Sequence, residues 1–152
     1  MIHPRIVSAR AVLTTRFLRY GLQRASAIII SYTKRERGMA ENLFLKIIER
    51  EIPADIVYET EDVLAFRDIN PQAPVHILII PKIHIRTVND IMTDQAELIG
   101  KLYLAAKDIA QEEGLSEEGY RLVMNCNKAA GQVVFHIHLH LLGGRMFAWP
   151  PG

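Results

Sequence analysis

The chain has 152 residues, 49% of them apolar and 23% charged, with a formal net charge of +1, which suits one domain with a proper hydrophobic core. Cys126 is the only cysteine, so no intrachain disulfide can form and nothing points to an oxidising compartment. No apolar run approaches the ~20 residues needed to span a bilayer.

The near-neutral charge hides two unlike segments. Residues 1–38 carry eight basic side chains (Arg5, Arg10, Arg16, Arg19, Arg24, Lys34, Arg35, Arg37) and one acid, Glu36, which leaves 10 basic and 16 acidic residues for the remainder. Three readings compete for this leader. An Arg-rich, acid-poor segment fits a mitochondrial transit peptide. It also fits a basic arm for nucleic acid or anionic lipid, although such arms are unspecific without a fold. In the third reading it is an upstream mis-start: Met39-Ala40-Glu41 looks like an ordinary translation start, and Lys34-Arg35-Glu36-Arg37-Gly38 can be encoded by purines alone, as a translated ribosome-binding site would be. In each case the segment has too little patterned apolar surface to offset its ordering entropy, and poor order is expected.

In residues 39–152, Asn42 can cap a short helix through Arg50, with Leu43, Phe44, Ile47 and Ile48 on one stripe and Ile52-Pro53 ending it. Strands are predicted over 56–58 and 63–67, around the polar turn Glu59-Thr60-Glu61-Asp62. Pro71 and Pro74 make 68–74 a loop. The β-branched run 75–80, with His76 inside it, reads as a central strand. One long helix is predicted from Thr93 to about Glu113, with Leu98, Leu102, Ala105 or Ala106, and Ile109 at helical spacing and Gly114 as its stop. The last two strands fall at 120–124 and 134–142, separated by an Asn- and Gly-rich loop. The sum is an α+β domain: an antiparallel sheet of about five strands with a helix on one face.

Half of the chain's six histidines lie on five residues, His136-Ile137-His138-Leu139-His140. On a strand, residues two apart share a face ~6.6–7 Å apart, so the imidazoles line one side while the aliphatic residues enter the core. Zinc is one use of such a pattern. The outer histidines of an extended strand are ~13 Å apart, however, too far to share one ion with ~2.0–2.1 Å bonds; further ligands would have to come from His76 and Asp68. The other use is nucleophilic catalysis. A neutral imidazole is a good nucleophile near pH 7, and flanking histidines can fix its tautomer, bond phosphate oxygens and carry protons. Phosphoryl transfer, which depends on positioning and charge stabilisation, suits this set. Gly131-Gln132-Val133 offers backbone N–H groups nearby for an anion. An unperturbed pKa near 6.5 for the nucleophile predicts activity falling below about pH 6.

The run His136-Ile-His138-Leu-His140-Leu-Leu resembles the histidine-triad pattern, His-φ-His-φ-His-φ-φ with φ apolar. The resemblance extends from about Leu43 to Gly152, includes Phe66-Arg67-Asp68-Ile69-Asn70-Pro71-Gln72-Ala73-Pro74 and Gly143-Gly144-Arg145, and ends on Trp149-Pro150-Pro151-Gly152. It is similar to the nucleotide-binding (Hint) branch. That resemblance implies a homodimer, without cofactor or metal, that binds purine nucleoside monophosphates and hydrolyses nucleoside 5′-phosphoramidates or related adenylate adducts. His138 would attack the α-phosphorus, with His140 and His136 orienting and relaying protons and His76 hydrogen-bonded to the triad. Asp68 would accept from the ribose hydroxyls; otherwise it is a turn residue. Leu43, Phe44, Ile47, Phe66 and Ile69 would form the slot for the base, and Asn125 and the Gly131, Gln132 and Val133 backbone would hold the phosphate.

Two residues depart from the pattern: Val133 stands where many relatives have serine, and Ala148 where some have histidine, which puts leaving-group preference and rate in question. The competing functions are a dinucleoside polyphosphate hydrolase of a sister branch, against which the Gly143-Gly144-Arg145 and Trp149-Pro150-Pro151-Gly152 ending argues, and a nucleotide-sensing scaffold with incidental hydrolysis. An acidic domain argues against a nucleic-acid partner, and no membrane partner is expected. The expected location is cytoplasmic, or mitochondrial if the leader is a transit peptide.

Overall fold

The computed structural model describes residues 42–151; the expectations for residues 1–38 lie outside them. Asn42 is the N-cap of helix α1 (Leu43–Ile48), its carboxamide oxygen accepting the Phe44 N–H at 3.0 Å. The helix stops short of the predicted Arg50. Arg50 adopts φ +63°, and the Lys46 carbonyl takes the Glu51 N–H at 2.8 Å; such a left-handed closure ends a helix before any proline is needed.

Strands β1 (Ile56–Glu59), β2 (Val63–Arg67), β3 (Val75–Pro81), β4 (Tyr120–Val123) and β5 (Leu139–Gly143) form one sheet in the order β1-β2-β3-β5-β4, every pair antiparallel. The β-branched run 75–80 therefore takes the central place expected of it. The long helix α2 (Ala96–Glu112) begins three residues after the predicted Thr93, because Thr93–Gln95 forms a separate 3₁₀ turn. Its far end closes at Gly114, whose φ is +72°.

Alternation along the strands sorts two apolar layers. Ala65, Ile77, Ile79, Leu139 and Leu141 point to one face, where they meet Leu102, Ala105, Ala106 and Ile109 of α2. Leu64, Phe66, Leu78 and Ile80 point to the other face, covered by Phe44 and Ile47 of α1. A helix on one face was expected; helices lie on both.

The largest correction concerns the histidine strand. A strand over 134–142 was predicted, but β5 begins only at Leu139, so His140 alone of the three histidines lies on it. The register shows why. Ile79 pairs with Leu139, so two residues further on the partner would be Pro81, which has no N–H to give. The chain leaves the ladder instead: the Ile137 N–H bonds the Ile85 carbonyl at 2.8 Å, and the Pro81 carbonyl is taken by the His136 ring at 2.8 Å.

Candidate active site

The off-ladder segment is held by side chains. Gln132, almost fully buried, donates to the Arg86 and Val134 carbonyls at 2.8 and 3.2 Å and accepts the Asn127 N–H at 2.8 Å. His84 Nε2 lies 2.9 Å from the Phe135 carbonyl, and the Arg86 guanidinium sits 4.4 Å over the Phe135 ring. With this segment held off the ladder and His140 on β5, His138 and His140 both line a cavity of about 320 Å³, a size that suits a small ligand.

Hydrogen bonds assign the imidazole tautomers, because a ring nitrogen facing a carbonyl must donate and one facing an N–H must accept. His138 Nδ1 lies 2.7 Å from the His136 carbonyl, so Nδ1 carries the hydrogen and the Nε2 lone pair is left free. His76 Nδ1 accepts the Gln72 N–H at 3.1 Å. Its Nε2–H therefore donates to His140 Nδ1 at 2.9 Å. His140 then carries its hydrogen on Nε2, a buried atom with no partner among the described residues. His136 spends its Nε2–H on Pro81 and keeps a lone pair on Nδ1, likewise buried and unpartnered.

The same burial keeps the four rings neutral. It lowers the pKa of His76 and His138, outweighing the nearby Asp68 charge and, for His138, the bond to the His136 carbonyl. It pushes His136 down to about 4 against the Pro81 hydrogen bond, and His140 to about 4 with help from repulsion by His138 and His76.

Of the expected slot residues, Leu43, Phe44, Ile47 and Phe66 line the cavity; Ile69 lines it from the rim, 96% exposed. Ile52, Pro53, Ala54 and Val134 join them. Sequence reading took Ile52-Pro53 as a helix stop and missed its second use. Phe44 stands edge-on to the His138 ring, 5.2 Å between centroids. Asp68 takes the turn role considered for it, Oδ1 accepting the Asn70 N–H at 2.8 Å, and its side chain also lines the cavity, with Oδ2 3.5 Å from His76 Nε2.

The loop expected to hold the phosphate offers fewer free N–H groups than expected. The Gly131 and Gln132 N–H groups are spent on the Lys128 and Asn127 carbonyls, leaving the Val133 N–H as the one of the three with no partner among the described residues. Gly131 and Val133 line the cavity, the latter 85% exposed; Asn125, Gln132, His76 and His136 do not line it and stand behind or beside it.

Residues 49–147 match the HIT domain family. The chain belongs to the HIT family. It is 58% identical over 105 residues to the purine nucleoside phosphoramidase of Escherichia coli K12, covering 69% of this chain and 88% of that one. It is 55% identical over 117 residues to a maize protein named 14 kDa zinc-binding protein, covering 72% and 87%. A HIT family hydrolase from Legionella pneumophila superposes with a TM-score of 0.73 at 60% identity, covering 74% of this chain and all of that one.

The maize protein's name raises the question of zinc here. Asp68, His76 and His140 bring potential donor atoms within 4.8 Å of one another, but a metal binds through an imidazole lone pair. Both lone pairs are committed, His76 Nδ1 to Gln72 and His140 Nδ1 to His76. The free ones, on His138, His136 and His84, lie outside that cluster. The hydrogen-bonded arrangement of this HIT site does not fit zinc.

Proposed function

We propose that the protein hydrolyses the P–N bond of adenosine (purine nucleoside) 5′-phosphoramidates through a nucleotidyl-His138 intermediate, releasing AMP. One observation carries this reading: His138 keeps its Nε2 lone pair free at the wall of the cavity, beside a His140 whose ring hydrogen, on the buried Nε2, has no partner among the described residues. The base enters the apolar slot between Phe44, Ile47 and Phe66, the ribose hydroxyls meet Asp68, and the phosphate meets the Val133 N–H and His140.

His138 Nε2 attacks phosphorus, the P–N bond breaks, and its electron pair stays on the departing nitrogen, which takes up a proton as the amine leaves. The free protein's rings are neutral, so that proton arrives with the complex: an anionic phosphate beside the imidazoles raises their pKa. Water then attacks the phosphorus and gives up a proton, replacing the one carried off by the amine; the bond to His138 breaks, its electron pair returns to Nε2, and AMP is released.

The test is AMP release from adenosine 5′-phosphoramidate by residues 39–152, wild type beside His138→Ala. The expected result is turnover in the wild type only, with AMP still bound by the variant. Tight AMP binding without turnover in the wild type would leave a nucleotide sensor, and preferred cleavage of a dinucleoside triphosphate would leave the polyphosphate hydrolase.

The reading also includes a homodimer in the cytoplasm. Apolar side chains left exposed on α2 (Tyr103, Leu104) and near the C-terminus (Met146, Trp149) support the former. Sedimentation equilibrium and cell fractionation test them.

A further inference from the structure

One train of contacts runs from the C-terminal segment through Arg145, Gln72 and His76, none of which lines the cavity, to His140, which does. We propose that Arg145 is a positioning residue, which holds the 70–74 loop so that the Gln72 N–H fixes the tautomer of His76 and, through it, of His140. Its kinetic consequence rests on the hydrolase reading above; its tautomeric consequence does not.

Arg145 Nε and Nη2 both donate to the Gln72 carbonyl at 3.3 Å, while Nη1 donates to the Met146 carbonyl at 3.0 Å. The guanidinium lies 4.2 Å from the centroid of the Phe147 ring, which the Arg121 guanidinium also approaches, at 4.8 Å. Only a fixed planar fork can bond one carbonyl through two nitrogens while stacking on a ring. Beside it, Gly144 turns with φ +80° so close to the loop that a Cβ there would stand 3.0 Å from Pro74 Cβ. The tail thus grips the loop at Gln72 and at Pro74.

Gln72 is the residue whose N–H bonds His76 Nδ1. While it does, a neutral His76 must carry its hydrogen on Nε2, His140 must accept at Nδ1, and the buried His140 Nε2 must present a hydrogen. If the loop shifts and the N–H withdraws, His76 is free to protonate Nδ1. Its Nε2 then becomes an acceptor, His140 donates from Nδ1, and His140 Nε2 carries a lone pair in place of its hydrogen. The polarity of the whole train inverts.

The experiment is long-range ¹⁵N–¹H correlation spectroscopy on the ¹⁵N-labelled full chain, beside steady-state kinetics, for wild type, Arg145→Ala, Arg145→Lys and Arg121→Ala. The wild type is expected to show Nε2–H on both His76 and His140. In Arg145→Ala, His76 is expected to become a mixture with Nδ1–H. Its kcat falls about tenfold, less than the full loss of a preorganised donor, with KM changed less than about twofold. Arg145→Lys, which keeps the charge and loses the fork, should resemble alanine. Arg121→Ala loses its bond to the Ala148 carbonyl and its contact with Phe147 but leaves both Arg145 bonds to Gln72, and should resemble wild type. Unchanged tautomers or unchanged kcat in a folded Arg145→Ala would overturn the proposal. So would a lysine variant equal to wild type, which would mean charge acts alone, or an Arg121→Ala variant as damaged as Arg145→Ala, which would mean general loss of the tail. A wild type without turnover would refute the hydrolase reading and leave the tautomer comparison to decide this one.

Discussion

His138 is surrounded by rings that burial holds neutral, and its own pKa is lowered for the same reason. The expectation of activity falling below about pH 6 assumed an unperturbed imidazole; the buried one loses its nucleophilic lone pair only at lower pH. The acid limb of kcat/KM, which reports the free enzyme, is therefore expected below pH 6.5, and a limb at or above that value would contradict the burial argument. An anion in the cavity pulls the other way, so AMP binding near pH 6 should take up protons, measurable by calorimetry in two buffers of different ionisation enthalpy. Alternation of the three histidines made the chemistry legible in the sequence. The tautomers were not legible, because they depend on the Gln72 N–H and on the His136 and Pro81 carbonyls, backbone groups that every residue possesses.

Helix α1 is short, yet it supplies both a cap and a pocket wall. Asn42→Ala removes the acceptor for the Phe44 N–H and should cost about 1 kcal/mol in urea-unfolding free energy. Phe44→Ala deletes a buried ring packed edge-on against Phe66 at 5.5 Å and against His138; a loss of about 3–5 kcal/mol is expected, together with a raised KM for the nucleotide. Equal KM values would mean that the ring serves the core alone. At this scale the sequence placed all five strands and both helices and erred at their ends. Local patterns locate an apolar stripe or an alternating run. The ends were set by partners remote in the chain, as when Pro81 ended the ladder before His138.

For the whole molecule, the buried histidines couple folding to pH. The unfolded chain binds protons with pKa near 6.5, whereas His136 and His140 do so only near 4. Stability is therefore full above about pH 6.5 and is lost as pH falls toward 4. For His136, which has no exposed surface, the drop from 6.5 to about 4 corresponds to on the order of 3 kcal/mol. Thermal midpoints should climb between pH 4 and 6.5 and flatten above. Replacing His136 by an isosteric non-titrating residue should shallow that climb; an unchanged slope would place the coupling elsewhere.

The two apolar layers differ in one respect. The layer under α2 is closed, whereas Phe44, Ile47, Phe66 and Leu78 of the layer under α1 are also walls of the cavity. A purine entering that cavity would finish a half-built core, so association should carry the thermal signature of folding: a negative heat-capacity change. The empty protein should in turn exchange the amides of α1 with deuterium sooner than those of α2, and added AMP should slow the first set far more than the second.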